Sequence, residues 1–253
     1  MKDVVVITGA AQGLGACIAK ALLANGFCVA ITDISEKDAV ATAKRLSSGS
    51  DNDDNSGDVA GFKLDVTQKS DFEQTLAAVE AHFGQVNGLV NNAALTLTTP
   101  VMEVTAEEFD NVLNVNLRGT LFGCQVFGAY LAQKGYGRIV NIASLAGQNG
   151  GAAAGVHYSS SKGGILTMTK VFAGNLAANG VTVNAIAPGP MDLPIVHELV
   201  PPEKLEHLLE NVIPVKALGS PDFVGGIVAQ LMQRDAFGVT GATWDINGGL
   251  FMR

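Results

Sequence analysis

The sequence predicts an α/β fold, a doubly wound (Rossmann) parallel sheet of about seven strands with helices on both faces. Three observations predict it. Short β-branched runs alternate one for one with longer segments of helical periodicity. The runs are nearly continuous in Val and Ile, as strands covered on both faces must be. Strict alternation then requires crossover connections, and so parallel strands.

The strand-like runs, in order, are Val4–Thr8, Phe27–Thr32, Gly61–Leu64, Gly88–Val90, Arg138–Ile142, Val181–Ile186 and Thr243–Ile246. Between them lie the helical segments Gly13–Asn25, Glu36–Leu46, Lys69–Phe83, Ala106–Gln133, His157–Ala178 and Asp222–Arg234. One open sheet accommodates all the strands, so residues 1–253 read as a single domain. Two stretches interrupt the rhythm. Ser47–Asp58 is polar, acidic and glycine-punctuated, the composition of an exposed loop, and reads as a tolerated insertion rather than a regulatory element. Pro188–Pro214 holds Pro190, Pro194, Pro201 and Pro202 around a short amphipathic segment, Glu203–Asn211. It follows a late strand, and ligands of open α/β sheets bind beyond the carboxyl ends of the strands. Residues 190–214 are therefore the expected substrate-binding lid.

A hydrophobic content of 47% supports a sizeable core. The net charge of −8 argues against a nucleic-acid or anionic-membrane surface, both of which need clustered Lys and Arg. Cys17, Cys28 and Cys124 have no CxxC spacing and read as small buried hydrophobes in a reducing compartment. His82, His197 and His207 lack the spacing and companions of a metal site, so no metal is expected. No apolar stretch reaches the ~18 residues a membrane span needs. The first apolar run is too short for a signal peptide, and the expected setting is cytoplasmic.

The chemistry begins at the first strand. It runs into Thr8-Gly9-Ala10-Ala11-Gln12-Gly13-Leu14-Gly15, and a helix follows at once. Glycines there let the backbone turn tightly and approach a pyrophosphate, while the helix N-terminus offers free N–H groups and a positive dipole end. Asp33 ends the second strand, eighteen residues beyond Gly15, where a carboxylate can accept hydrogen bonds from both adenosine ribose hydroxyls. It would repel a 2′-phosphate. No Arg or Lys stands beside it in Ile31–Ser35, and the loop carries Gln12, so the expected cofactor is NAD rather than NADP. Tyr158 and Lys162, four residues apart, share one face of a helix. A tyrosine moves protons near neutral pH only if its pKa falls from about 10, and an ammonium within a few ångströms favours the phenolate.

With these residues in place, the chain resembles a short-chain dehydrogenase/reductase of the single-domain subgroup of about 250 residues. The resemblance runs from Val4 to Gly249. It rests on Thr8-Gly9-x-x-x-Gly13-x-Gly15, Asp65-Val66, Asn91-Asn92-Ala93-Ala94, Asn114-Val115-Asn116, Ser144, Tyr158-x-x-x-Lys162 and Pro188-Gly189, in the family's order. What it implies is specific. Tyr158 would be the acid/base, Lys162 its partner and a holder of the nicotinamide ribose. Ser144 would hydrogen-bond the substrate oxygen, and Asn116 would anchor a water in the proton relay. Asp65 and Val66 would flank the adenine, with Ile34 beside Asp33. Asn92, Ala93 and Ala94 would line the cofactor, and Pro188 and Gly189 would close over the nicotinamide. Three departures stand out. Ala94 replaces a usual Gly; Ser144 and Tyr158 are fourteen residues apart, one more than the family pattern; and the run after Pro188-Gly189, Pro190-Met191-Asp192-Leu193-Pro194, holds no Thr. The extra residue is assigned to the Gly147–Gly155 loop.

The implied reaction is hydride transfer between NAD and a secondary alcohol or ketone, with Met191 in the lid beside the substrate. Leu193, Ile195, Val196, Leu199 and Val200 point either to a hydrophobic substrate or to packing of the lid itself. Three other readings stand beside it. One is a non-catalytic NAD-binding or redox-sensing protein on the same fold. A second is an NADPH-type 3-oxoacyl carrier-protein reductase, against which Asp33 and the acidic surface weigh. The third is an epimerase or dehydratase, for which a C-terminal substrate domain is expected and the chain is short. The apolar, small-residue-rich helices Ala106–Gln133 and His157–Ala178 predict self-association, and the resemblance implies a homotetramer.

Overall fold

The computed structural model describes residues 2–48, 57–151 and 155–253. Most of the acidic Ser47–Asp58 stretch lies outside the described residues. The elements run β1 (Val4–Thr8), α1 (Gly13–Ala24), β2 (Cys28–Asp33), α2 (Glu36–Ser47), β3 (Val59–Lys63), α3 (Lys69–Phe83), β4 (Gly88–Asn91), α4 (Ala106–Leu113), α5 (Gly119–Lys134), β5 (Gly137–Ile142), α6 (Ala146–Asn149), α7 (Val156–Leu176), β6 (Val181–Pro188), α8 (Pro194–Leu199), α9 (Pro202–His207), α10 (Pro221–Met232) and β7 (Thr243–Ile246). The strands pair in parallel in the order β3-β2-β1-β4-β5-β6-β7. The doubly wound sheet is thus present.

Alternation along β1 divides the core in two, because successive side chains leave a strand on opposite faces. Val5 and Ile7 join Ile18 and Leu22 of α1 and Val224 and Val228 of α10. Val4 and Val6 join Phe72 of α3, and Phe127 and Leu131 of α5. Phe72 and Phe127 meet edge to face, with centroids 6.4 Å apart. Both faces are covered, which is why the strands read as unbroken apolar runs.

Strand order reverses between β1, which pairs with β2 on one side, and β4 on the other. The chains leaving the two strands diverge there, and their loops are stapled together. The Thr8 hydroxyl accepts the N–H groups of Asn92 and Ala93, each at 3.0 Å. The Asn92 amide donates to the carbonyls of Thr8 and Gly9, each at 2.9 Å. Gly9 lies at φ +61°, and a Cβ on it would come within 2.7 Å of the Ala93 Cα. Only glycine meets both demands.

Several boundaries differ from expectation. β2 ends on Asp33 itself, and β3 begins at Val59 because the Val29 N–H bonds the carbonyl of Asp58 and sets the register earlier. The single helix expected over Ala106–Gln133 is divided. A π-helical turn, Asn114–Arg118, separates α4 from α5, and the Gly119 N–H reaches back to the Asn114 carbonyl. One extra residue in the ladder leaves the apolar periodicity on either side intact, so the sequence does not reveal it. The Gly147–Gly155 stretch, expected as loop, begins inside the short helix α6; residues 152–154 of it lie outside the described residues. No helix among the described residues is long and apolar enough to cross a membrane.

Candidate active site

A cleft of about 460 Å³ opens where the strand order reverses. Gly9, Gln12, Asp33, Ile34, Asp65, Val66, Asn92, Ala93 and Ala94 line it, nine residues expected at the cofactor. Leu64, Thr67, Leu95 and Val115 complete the lining. Gly13, Leu14 and Gly15 open α1 beside it, and its N-cap, Gln12, makes no side-chain hydrogen bond to the helix. The first N–H groups of α1 thus carry no side-chain cap, the arrangement an incoming phosphate satisfies. Asp33 Oδ2 accepts the Ala11 N–H at 3.3 Å and Oδ1 the Ser35 N–H at 3.4 Å, so backbone donors aim the carboxylate. Asp65 Oδ1 is engaged by the N–H and hydroxyl of Thr67 at 2.9 and 2.7 Å. Ala94 is tolerated where a Gly is usual because its φ is negative: among the described residues Lys216 is the only non-glycine with positive φ. These groups fit a dinucleotide, with Asp33 at the far end from the catalytic side chains.

A second cleft, of about 320 Å³, lies at the carboxyl ends of β5 and β6. Ser144, Leu145, Pro188, Gly189 and Pro190 line one side; Leu208, Val212 and Leu250 line the other. Met191, expected beside the substrate, is elsewhere. It is 7% exposed, packs in the core cluster with α10 residues and pairs by a lone bridge with Gly219. The hydrophobic wall falls instead to Leu208 and Val212 of the lid and to Leu250, which the turn around Asn247 carries in. Asn247 Oδ1 accepts the Gly249 N–H at 3.0 Å, and its amide donates to the Phe251 carbonyl at 3.0 Å. A hydrophobic residue near the chain end gave no sequence signal of its own.

Between the two clefts the candidate catalytic side chains converge. Ser144 and Thr96 bring hydroxyl groups into the neighbourhood of Tyr158. Lys162 is 2% exposed and donates from Nζ to the Ile142 carbonyl at 2.7 Å, with Nζ 5.5 Å from the centre of the Tyr158 ring. Burial pushes its pKa down to about 8. Tyr158 departs from the simple expectation: burial, the largest influence, raises its pKa, and the hydroxyls of Ser144 and Thr96 oppose the rise. Lys162 spends its short hydrogen bond on a backbone carbonyl, and its ammonium is not among the influences on the Tyr158 pKa.

Asn116 is fully buried in the π-helical turn, and its side chain spans three partners. Oδ1 accepts the Leu95 N–H at 2.7 Å, while Nδ2 donates to the Leu95 carbonyl and to Ser161 Oγ, each at 3.0 Å. Ser161 Oγ donates in turn to the Tyr158 carbonyl at 2.7 Å. His157 is wholly buried. Its Nδ1 accepts the Tyr158 N–H at 2.9 Å, an otherwise orphaned donor in the first turn of α7, and its Nε2–H donates to Glu108 at 2.7 Å. It therefore holds the backbone of Tyr158.

A family model described as enoyl-(acyl carrier protein) reductase matches residues 9–251. Acetoacetyl-CoA reductase of Rhizobium meliloti is 36% identical over 251 residues, 99% of each chain. (3R)-3-hydroxyacyl-CoA dehydrogenase of Mus musculus is 33% identical over 98% of this chain and 95% of its own. 3-Oxoacyl-[acyl-carrier-protein] reductase of Thermotoga maritima is 32% identical over 98% and 97%. The chain belongs to the short-chain dehydrogenase/reductase family. As a member of that family it is an oxidoreductase that uses a nicotinamide cofactor, and its full-length match agrees with one sheet carrying both clefts.

Proposed function

We propose that the protein is an NAD-dependent oxidoreductase acting on a secondary alcohol or ketone, with Tyr158 as acid/base. The observation that carries this is the convergence of Ser144, which lines the second cleft, with Tyr158, whose ring centre lies 5.5 Å from the buried ammonium of Lys162. When bound, the nicotinamide gives or takes the hydride. The protein's own groups place the substrate oxygen and handle its proton. Ser144 donates to that oxygen as its charge changes, Tyr158 gives or accepts the proton, and Asn116 and His157 fix the backbones that carry the reacting hydroxyls.

The substrate class is a 3-oxoacyl or 3-hydroxyacyl thioester. An apolar wall of Leu145, Leu208, Val212 and Leu250 beside Ser144 suits a short acyl chain, and the names of the relatives share a 3-oxo or 3-hydroxy acyl group. This brings the carrier-protein alternative closer than the acidic surface alone suggested. Asp33 supports NAD over NADP. With acetoacetyl-CoA, kcat/KM for NADH is expected to exceed that for NADPH by about 10-fold or more. Asp33→Ser is expected to raise the KM for NADH by about 10- to 100-fold, the loss of hydrogen bonds to a charged group. A wild-type preference for NADPH would overturn the assignment.

The assembly we propose is a homotetramer. β7 is a free sheet edge bearing Trp244, 39% exposed, and Phe223 of α10, Phe237 and Val171 of α7 are also exposed. Light scattering after size exclusion should return four times the 26.1 kDa chain mass; a monomer would refute it.

A further inference from the structure

We propose that Leu250 sets the length of acyl chain the protein accepts, as the fixed end wall of the substrate cleft. The proposal rests on the substrate being a 3-oxoacyl or 3-hydroxyacyl thioester, as argued above, and names the acyl group: a short one, of acetoacetyl size.

Leu250 stands in a turn that is held on every side. The turn follows β7 and begins at Asn247, 7% exposed, whose carbonyl accepts the Leu250 N–H at 3.2 Å. The Asn247 side chain brackets Leu250, with Oδ1 accepting the N–H groups of Gly249 and Phe251 and the amide donating to the Phe251 carbonyl. Gly248 and Gly249 have φ of +64° and +86°, the left-handed region that other residues disfavour. Both are pressed against the end of the lid. A Cβ on Gly248 would lie 2.9 Å from Cγ2 of both Ile213 and Val215, and one on Gly249 would lie 3.1 Å from Pro214. The Val215 N–H also bonds the Gly248 carbonyl at 3.2 Å. On the outer side, Arg253 grips Asp245 of β7 through Nε and Nη2 at 2.9 and 3.1 Å. The Gln148 amide donates to the same carboxylate at 2.6 Å, and the next residue of α6, Asn149, lines the cleft. The turn is thus tied to the lid on one side and to α6 on the other.

This bracing gives Leu250 its consequence. The cleft holds about 320 Å³, at the small end for a ligand site, and Leu250 shares it with Ser144, the proposed donor to the substrate oxygen. A thioester carrier is polar and needs water, so the apolar wall faces the acyl end. A turn already in contact with the lid cannot sink inward when its side chain is shortened. The volume that Leu250 vacates therefore stays open, as it does in a core that fails to collapse. Val212 of the lid, on the same wall, is 45% exposed and bounds the chain only in part.

Wild type is expected to prefer acetoacetyl-CoA to 3-oxohexanoyl-CoA. Leu250→Ala should raise kcat/KM for the longer substrate relative to the shorter by about 15-fold, two methylenes at about 4-fold each. Leu250→Phe, which reaches further into the cleft, should lower the same ratio. KM for NADH should move in neither variant. A Leu250 that merely packs the turn would instead lower both rates together and leave their ratio in place. If the ratio is unmoved in both variants while wild type reduces acetoacetyl-CoA and Tyr158→Phe does not, Leu250 does not set chain length although the substrate class stands. A wild-type preference for the longer chain would overturn the proposal as well. A wild type that reduces neither thioester would remove the substrate class and the proposal with it. Should Leu250→Ala fail to fold, Leu250→Val takes its place with an expected rise of about 4-fold, and an unmoved ratio there counts equally against Leu250.

Discussion

Tyr158→Phe is expected to lower turnover by 10²- to 10⁴-fold, on the order of what a positioned acid/base contributes, while NADH still binds. The variant removes one oxygen and little else. The aromatic ring stays, so Lys162 keeps its place 5.5 Å from the ring centre and its bond to Ile142. With the ring retained, cofactor affinity by fluorescence titration should stay near that of wild type. The pH dependence has a definite sign. Burial raises the Tyr158 pKa, which keeps the phenol protonated through neutral pH. Reduction should therefore hold across that range and fail as alkali removes the proton, while oxidation should rise with pH. Turnover of Tyr158→Phe within tenfold of wild type would move the proton to another group.

The larger features were legible because the sequence states them redundantly. Val4–Thr8 is apolar at every position but its last, and only a strand covered on both faces uses such a run. Gly9 sits where β1 and β4 diverge, and its φ of +61° together with the nearby Ala93 backbone makes glycine obligatory, so the turn shows in composition. Asp33 could be placed because a carboxylate at a strand end so soon after a glycine turn has few structural uses. What escaped was set by three-dimensional packing. The π-helical turn that buries Asn116 changes one backbone bond without changing apolar spacing. Met191 packs into the core and Leu250 lines the cleft, since which apolar side chain faces a cleft depends on a bridge to Gly219 and on the turn around Asn247. Nothing in the sequence links His157 to Glu108, 49 residues away, whose carboxylate takes its Nε2–H while Nδ1 accepts the Tyr158 N–H.

Lys162→Met is expected to lower activity sharply while leaving the protein at least as stable at neutral pH. Lys162 is among the largest fully buried side chains, and its one short bond is to the Ile142 carbonyl. Burial is the sole cause of its lowered pKa of about 8, and no ion pair with it is present among the described residues. Against an unfolded value near 10.4, the folded protein binds fewer protons than the unfolded chain between about pH 8 and pH 10.4. Stability from this group therefore rises as pH climbs through that window, and its full cost, on the order of 3 kcal/mol, applies below it. Methionine removes the charge but leaves the Ile142 oxygen one donor short, an opposing loss of about 1 kcal/mol or more. The variant's unfolding free energy should therefore equal or exceed wild type by about 1–2 kcal/mol at pH 7, with the advantage shrinking toward pH 10. A variant less stable than wild type at pH 7 would make Lys162 a structural residue. The opposite result leaves one physical reason to keep an ammonium so deep: its place beside Tyr158, whose ring centre lies 5.5 Å away, where the fold alone has no use for a charge.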